Sequence, residues 1–362
     1  MITLELARDL PRLLWAYGVV RIRIRKATRN MKDRLLKDKF GRTIRDLRIS
    51  VTDRCNFRCF YCIPDEDIVW KRRQEMLTYE EIILIAEIAA GLGVEKLRLT
   101  GGEPLVRRDI EYLIENLARI EGIRDLALTT NADGLDRRAA SLRAAGLHRL
   151  TISLDSLRRE TFKEITRRDA LQSVLDGIEA AMEAGFPPPR INCVVIRGMN
   201  DVEVADFADF ARATGISMRF IEYMPLDNGH QWDRNLLVSG REVLERIRER
   251  HELVPLQRDT PSETALRFAF ADGAQGEIGI IAPVTQPFCG ACSRLRLTAD
   301  GNLRTCLFSM VDHNIRDRLR RGDTRDQLAD FMIGTVLNKE EGHRINEPDF
   351  VQPPRTMSFI GG

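Results

Sequence analysis

The stretch Asp46-Leu-Arg-Ile-Ser-Val-Thr-Asp-Arg-Cys55-Asn-Phe-Arg-Cys59-Phe-Tyr-Cys62 decides how the chain is read. Leu47 to Val51 is a short apolar run that predicts a strand, and the polar residues after it end that strand. Three cysteines then fall on one loop at the spacing CxxxCxxC, where three thiolates can hold a metal. The same rhythm repeats downstream. Lys96 to Thr100, Leu126 to Thr130, Arg149 to Leu154, Ile191 to Ile196 and Met218 to Tyr223 read as strands, and the amphipathic helices between them stop at glycines. One such helix opens with a capping box, Thr78 with Glu81, and presents Ile82, Ile85, Ala86 and Ala89 on one face. Six successive βα units imply parallel strands with right-handed crossovers, as a doubly wound sheet or a partial barrel. In both, chemistry is expected at the strand C-termini.

After Tyr223 the rhythm is lost. Ser239 to His251 reads as a helix, and Leu266 to Phe270, Glu277 to Ile281, Arg294 to Thr298 and Leu303 to Leu307 as strands around an Asp300-Gly301 turn. This predicts a second, smaller α+β region from residue 226 onward. It carries another cysteine group, Cys289-Gly-Ala-Cys292 with Cys306. Structural zinc prefers four protein ligands, and neither group has an obvious fourth; a zinc site completed by His313 is the alternative for the second. Seven cysteines, six of them in two tight groups, argue against a disulfide framework and for metal sites in a reducing cytoplasm. Cys193, mid-strand, reads as a small buried hydrophobe.

Composition narrows the classes further. The 362 residues are 43% hydrophobic and 30% charged, which excludes a disordered chain. A net charge of +2 gives no chain-wide field for nucleic acid or an anionic membrane. The longest apolar stretch, Ile82 to Val94, is interrupted by Glu87 and is too short to span a bilayer. Residues 1–30 hold seven basic and two acidic side chains, and read as a solvated N-terminal extension or as sequence upstream of a true start at Met31.

The CxxxCxxC loop after the first strand, with Gly101-Gly-Glu-Pro104 after the second, resembles the radical S-adenosylmethionine (SAM) superfamily. The second cysteine group, Thr129-Thr-Asn131, Ser153-Leu-Asp155, Arg197-Gly-Met-Asn-Asp201, Arg219-Phe-Ile-Glu-Tyr-Met224, Cys289-Gly-Ala-Cys-Ser-Arg-Leu-Arg296 and the terminal Gly361-Gly362 narrow the resemblance. It becomes one to the GTP 3′,8-cyclase family of molybdenum cofactor biosynthesis protein A, from about Phe40 to the end. The resemblance implies an α/β fold, a partial (βα)6 TIM-type barrel over residues 40–225, with a smaller C-terminal α+β region over 226–362 carrying a second Fe-S cluster. It implies two 4Fe-4S clusters, the first on Cys55, Cys59 and Cys62 and the second on Cys289, Cys292 and Cys306. SAM contacts fall on Tyr61, Gly102, Ser153 and Met224. GTP contacts fall on Arg48, Arg98, Thr129, Arg190 and Arg294, Leu295 and Arg296. Gly361 and Gly362 are implied to reach into the active site. The implied reaction is removal of the ribose H3′ by a 5′-deoxyadenosyl radical and ring closure at guanine C8. Implied partners are a reductant such as flavodoxin or ferredoxin and a downstream cyclic pyranopterin synthase, and a homodimer is compatible with the family. The competing readings are a radical SAM peptide-modifying enzyme and a zinc-stabilised binding protein.

Overall fold

The structure, a computed structural model, describes residues 34–63, 70–226 and 232–361; the N-terminal extension 1–30 and Gly362 lie outside the described residues. The six predicted strands form within about a residue of their expected bounds: β1 (Asp46–Ser50), β2 (Lys96–Thr100), β3 (Asp125–Thr130), β4 (Arg149–Ser153), β5 (Arg190–Val195) and β6 (Ser217–Glu222). Each pairs in parallel with its sequence neighbour. Helices on the crossovers are α1 (Tyr79–Gly91), α2 (Ile110–Ala118), α3 (Ala139–Ala144), α4 (Arg159–Thr166), α5 (Leu171–Glu183) and α6 (Val204–Thr214). The capping box at α1 forms as read, with Thr78 Oγ1 accepting from Glu81 N at 3.2 Å and Thr78 N donating to Glu81 Oε2 at 2.8 Å.

The C-terminal region departs from expectation. Its strands are β7 (Leu253–Leu256), β8 (Leu266–Phe270), β9 (Glu277–Ile281), β10 (Arg294–Leu297), β11 (Asn302–Arg304) and β12 (His313–Asn314), and they build no sheet of their own. One twelve-stranded sheet runs β12-β11-β10-β1-β2-β3-β4-β5-β6-β9-β8-β7. β10 pairs in parallel with β1, and β9 in parallel with β6, so the parallel array grows at both edges. The cause is matched alternation: Leu295 and Leu297 continue the apolar outer face of Leu47 and Ile49, while Arg294 and Arg296 continue the polar inner one. The remaining helices are α7 (Gly240–Arg248), α8 (Arg316–Arg320), α9 (Arg325–Leu337) and α10 (Met357–Ile360).

Leu47, Ile49, Leu97, Leu99, Ile152, Phe220 and Leu295 on the strands pack with Ile82, Ile85, Leu113, Val174 and Phe207 of the helices in one buried core. Each such side chain contributes about 1.5–3 kcal/mol by leaving water. Parallel strands covered on both faces are usually apolar throughout. Here the other face is polar, with Arg48, Arg98, Thr129, Thr151, Asn192, Arg219 and Arg296 lining a cavity. Something polar is meant to fill it.

Candidate active site

The first cysteine loop hangs from the C-terminal end of β1. Phe57 anchors it edge-on against Phe162, with ring centroids 5.9 Å apart. Arg58 N donates to Thr166 O at 3.0 Å and Phe60 N to Ile165 O at 3.2 Å, tying the loop to the end of α4. A tight turn brings Cys62 N to Cys59 O at 2.9 Å. The glycine loop after β2 lies directly on this segment: Gly102 N donates to Thr52 O at 2.7 Å and Glu103 N to Arg54 O at 2.8 Å. A Cβ on Gly102 would stand 2.1 Å from the Arg54 carbonyl oxygen, so backbone-to-backbone packing already demands glycine there.

Carboxylates dominate around this triad. Glu103 accepts from Thr130 Oγ1 and Asn131 N, both at 2.7 Å, and burial raises its carboxyl to about 7. Asp155 accepts from Tyr61 Oη at 2.6 Å and Val194 N at 2.8 Å, and burial raises it to about 6. Burial, then Glu103, pushes the Cys55 thiol up to about 12, while burial and then Asp155 hold Cys59 well above the ordinary thiol range. Burial, then Cys55, raises Cys62, against a backbone N–H donated by Ser358.

The second triad occupies the opposite end of the barrel. Cys289 and Cys292 precede β10, which runs parallel to β1, and Cys306 follows the antiparallel β11. Strands of this length put roughly 17 Å between the two ends. Cys289, Cys292 and Cys306 line one cavity with the inner-face arginines. Burial alone would raise the Cys292 thiol, but Arg294 and Lys339 outweigh it and bring it down to about 6. Above the triad three arginines stand in one row across adjacent strands, in the register Arg296, Arg48, Arg98. Like charges in adjacent register positions repel. Among the described residues none of the three forms an ion pair with a carboxylate, nor do Arg219 or Arg294. Arg98 is steered by Thr129 Oγ1 at 3.1 Å and Thr151 Oγ1 at 2.9 Å. Arg296 donates to the Gly361 carbonyl. Buried Nε atoms of Arg48 and Arg219 have no partner. Burial, then neighbouring arginines, lowers Arg98, Arg296 and Arg219, the last to about 9.

The expected site residues separate under this geometry. Arg48, Arg98, Thr129, Met224, Arg294 and Arg296 line the second-triad cavity. Leu295 does not: its side chain is fully buried in the outer core, because alternate strand residues face opposite ways. Arg190 opens β5 and lines the lower mouth with Asp125, Arg149 and Arg219, below that cavity. The polar lining therefore extends below the strand C-termini, with arginines filling the middle and bottom of the barrel. Cys306 lies on a turn beyond β11 rather than in a strand to Leu307, which lets its thiol face the cavity. Ser153 closes β4 beside Asn192. Gly361 packs at the top, where an added Cβ would meet Thr100 Cγ2 at 2.6 Å. Cys193 is buried, as expected. His313 lies in β12 and lines a separate groove with Arg318, away from the cysteines.

Sequence reading missed Arg219, Lys339 and His343, all of which line the cavity. Arg219 was discoverable from its alternation with Met218 and Phe220. Lys339 and His343 follow α9 with no local signal. Neither triad has a fourth protein ligand in its loop, and among the described residues no three His, Cys, Asp or Glu groups converge as ligands of a single ion do. In the second triad three free thiols line one cavity, and in the first they share one short loop; three thiolates suit an iron-sulfur cube, with one iron left for a small molecule.

Two family descriptions match the chain: the radical SAM superfamily over residues 49–211 and Molybdenum Cofactor Synthesis C over residues 216–345. Among curated relatives, the GTP 3′,8-cyclase of Rhodopirellula baltica is 46% identical, covering 92% of this chain and 94% of that protein. The GTP 3′,8-cyclase of Geobacter sulfurreducens is 49% identical over 90% of this chain and 99% of its own length. Streptococcus suis SuiB shares the fold, with a TM-score of 0.59 at 14% identity, covering 90% of this chain and 77% of that one.

Proposed function

The chain belongs to the GTP 3′,8-cyclase family of radical SAM enzymes, with two 4Fe-4S clusters, and from that premise we propose how its residues divide the work. It converts GTP to (8S)-3′,8-cyclo-7,8-dihydroguanosine 5′-triphosphate, the first step of molybdenum cofactor biosynthesis. Cys55, Cys59 and Cys62 hold the first cluster and Cys289, Cys292 and Cys306 the second. SAM held at the first cluster would supply the 5′-deoxyadenosyl radical chemistry that the removal of H3′ needs. Tyr61, Gly102, Ser153 and Met224 surround SAM, and the acidic setting of Glu103 and Asp155 suits its cationic groups.

GTP lies between the two ends. The single observation that carries this is the row Arg296, Arg48, Arg98: buried guanidiniums side by side and without carboxylate partners call for a polyanion, and a triphosphate supplies one. Arg219, Arg294 and, from the lower mouth, Arg190 add to it. Thr129 and Thr151 fix the Arg98 fork, so that part of the site is oriented before substrate enters. Gly361 closes the top, with Gly362 next in the chain. The first cluster needs a reductant, for which a flavodoxin or ferredoxin in a reducing cytoplasm is the fitting class, and cyclic pyranopterin synthase takes the product. Among the described residues no helix is long and apolar enough to cross a membrane.

Anaerobic incubation with GTP, SAM and reductant tests the reading. 5′-Deoxyadenosine and the cyclised nucleotide are expected in equal amounts. Deoxyadenosine formed with a cysteine-containing peptide but not with GTP would return the chain to peptide modification.

A further inference from the structure

Lys339 is only 3% exposed, yet it follows α9 rather than lying within an element. Its ammonium donates to the carbonyls of Arg294, at 3.1 Å, and Thr305. These two residues flank the place where the β10–β11 hairpin comes apart. Arg296 pairs with Arg304, but β11 ends there, so the next carbonyls toward Cys292 and Cys306 have no cross-strand partner. Lys339 satisfies both and spans the gap between the two arms that carry the second triad.

Like the cavity arginines, it carries a charge with no carboxylate beside it. Among the described residues no carboxylate lies within ion-pairing distance of it, and the nearby ones are engaged elsewhere: Glu340 accepts from Thr305 Oγ1 at 2.6 Å, and Asp38 holds Arg42 Nε at 2.6 Å. Arg42 in turn donates to Cys289 O at 2.8 Å and Glu341 O at 2.6 Å, locking the segment after Lys339 onto the triad. A buried cation without a counter-charge costs several kcal/mol. It shares the lining of one cavity with the thiols of Cys289, Cys292 and Cys306, and the carbonyls it holds lie two residues from Cys292 and one from Cys306.

We propose that Lys339 is, alongside Arg294, a counter-cation of the second iron-sulfur centre, a positioning residue whose charge raises the reduction potential of that centre. Adding an electron makes a thiolate-ligated cluster more negative, and a fixed ammonium beside it favours that state. The inference rests on the reading that Cys289, Cys292 and Cys306 hold a cluster, and iron content checks that reading separately.

The test uses the full-length enzyme reconstituted with both clusters, about eight irons per chain, under redox titration followed by electron paramagnetic resonance. The second centre is the signal that Cys292→Ser removes. Lys339→Met and Lys339→Gln are expected to lower its midpoint and leave the first centre's unchanged, with Lys339→Arg restoring it. If the methionine variant fails to assemble, the glutamine variant decides, since its amide still donates to the carbonyls without charge. An unchanged midpoint at full iron overturns the proposal. So does a shift in the methionine variant alone, which assigns the effect to lost hydrogen bonds, or loss of the second cluster from both neutral variants, which makes Lys339 a staple. A wild-type chain with about four irons defeats the two-cluster reading instead.

Discussion

The two cysteine triads use the same donor set in opposite electrical settings. Around the first, burial and then Glu103 and Asp155 push the Cys55 and Cys59 thiols up; around the second, Arg294 and Lys339 outweigh burial at Cys292, although burial still raises Cys306. The difference suits the ligands proposed for each end: SAM brings a sulfonium and an ammonium, which carboxylates at the top would favour, and GTP a triphosphate, which arginines below would favour. One barrel keeps two anion-sensitive centres apart by giving each a different charge to work against.

The largest effect should come from breaking one side at a time. Cys59→Ser is expected to abolish SAM cleavage, because the first cluster loses one of three ligands. Cys292→Ser should keep some SAM cleavage and lose cyclisation. Quantifying 5′-deoxyadenosine and cyclised nucleotide in both variants checks this, and full cyclisation by Cys292→Ser would remove the second triad from the reaction.

The electrical contrast itself can be read in the cluster-free, reduced protein by iodoacetamide labelling and peptide mapping. A thiol reacts as its thiolate, whose fraction rises with pH through the pKa. Cys292 should be half ionised near pH 6 and Cys55 only near 12. At pH 7 the thiolate advantage of Cys292 is partly offset by its lower intrinsic nucleophilicity, leaving it roughly 100-fold faster. In Arg294→Ala the rate profile of Cys292 should move to higher pH. Equal labelling of Cys292 and Cys55 at pH 7 would erase the contrast.

On the phosphate side, Arg294→Ala and Arg296→Ala should each weaken GTP by about 1.5–3 kcal/mol through lost charge-assisted hydrogen bonds. That is roughly 10- to 150-fold in affinity. SAM affinity should hold. Calorimetry with each ligand separates the two, and GTP binding at wild-type strength in both variants would show that these guanidiniums serve the fold alone.

Much of this was legible in the sequence, and its failures share a cause. Alternation located β1 to β6, β8 and β9, and the spacing of the cysteines located both triads. What alternation could not show was pairing: Arg294 to Thr298 reads as a hairpin strand, and only its register with β1 makes Arg296 a neighbour of Arg48. The resemblance put Leu295 in the GTP set, although alternation turns the side chain of a residue between two inward arginines outward. It also set His313 as a candidate ligand on chain proximity to Cys306, whereas the histidine in the cavity is His343, contributed by a segment 37 residues past that cysteine. Lys339 escaped for the same reason, being fixed by carbonyls rather than by any side-chain motif.

The smallest expected effect lies where the two settings meet. Gly361 is at φ 77° and ψ 110°, on the left-handed side that favours glycine, and its carbonyl accepts from Arg296 while its Cα lies against Thr100 and Ser50. It therefore links the phosphate row to the floor beneath the glycine loop. Gly361→Ala must bear about 1–2 kcal/mol of backbone strain. It must also displace Thr100 Cγ2, which would be 2.6 Å from the new methyl. The tail should be seated roughly 5- to 30-fold less often by the strain alone. Cyclisation should fall by that factor with iron content and SAM affinity unchanged, because neither cysteine loop is touched. Removing Gly361 and Gly362, or extending the C-terminus with a tag, should reduce cyclisation further in the same direction. Because Arg296 would be released from the Gly361 carbonyl, GTP affinity in the truncated chain should stay the same or rise. Wild-type yields of the cyclised nucleotide from a chain ending at Ile360 would reduce the tail to packing, and a parallel loss of SAM affinity would place it with the upper setting instead of between the two.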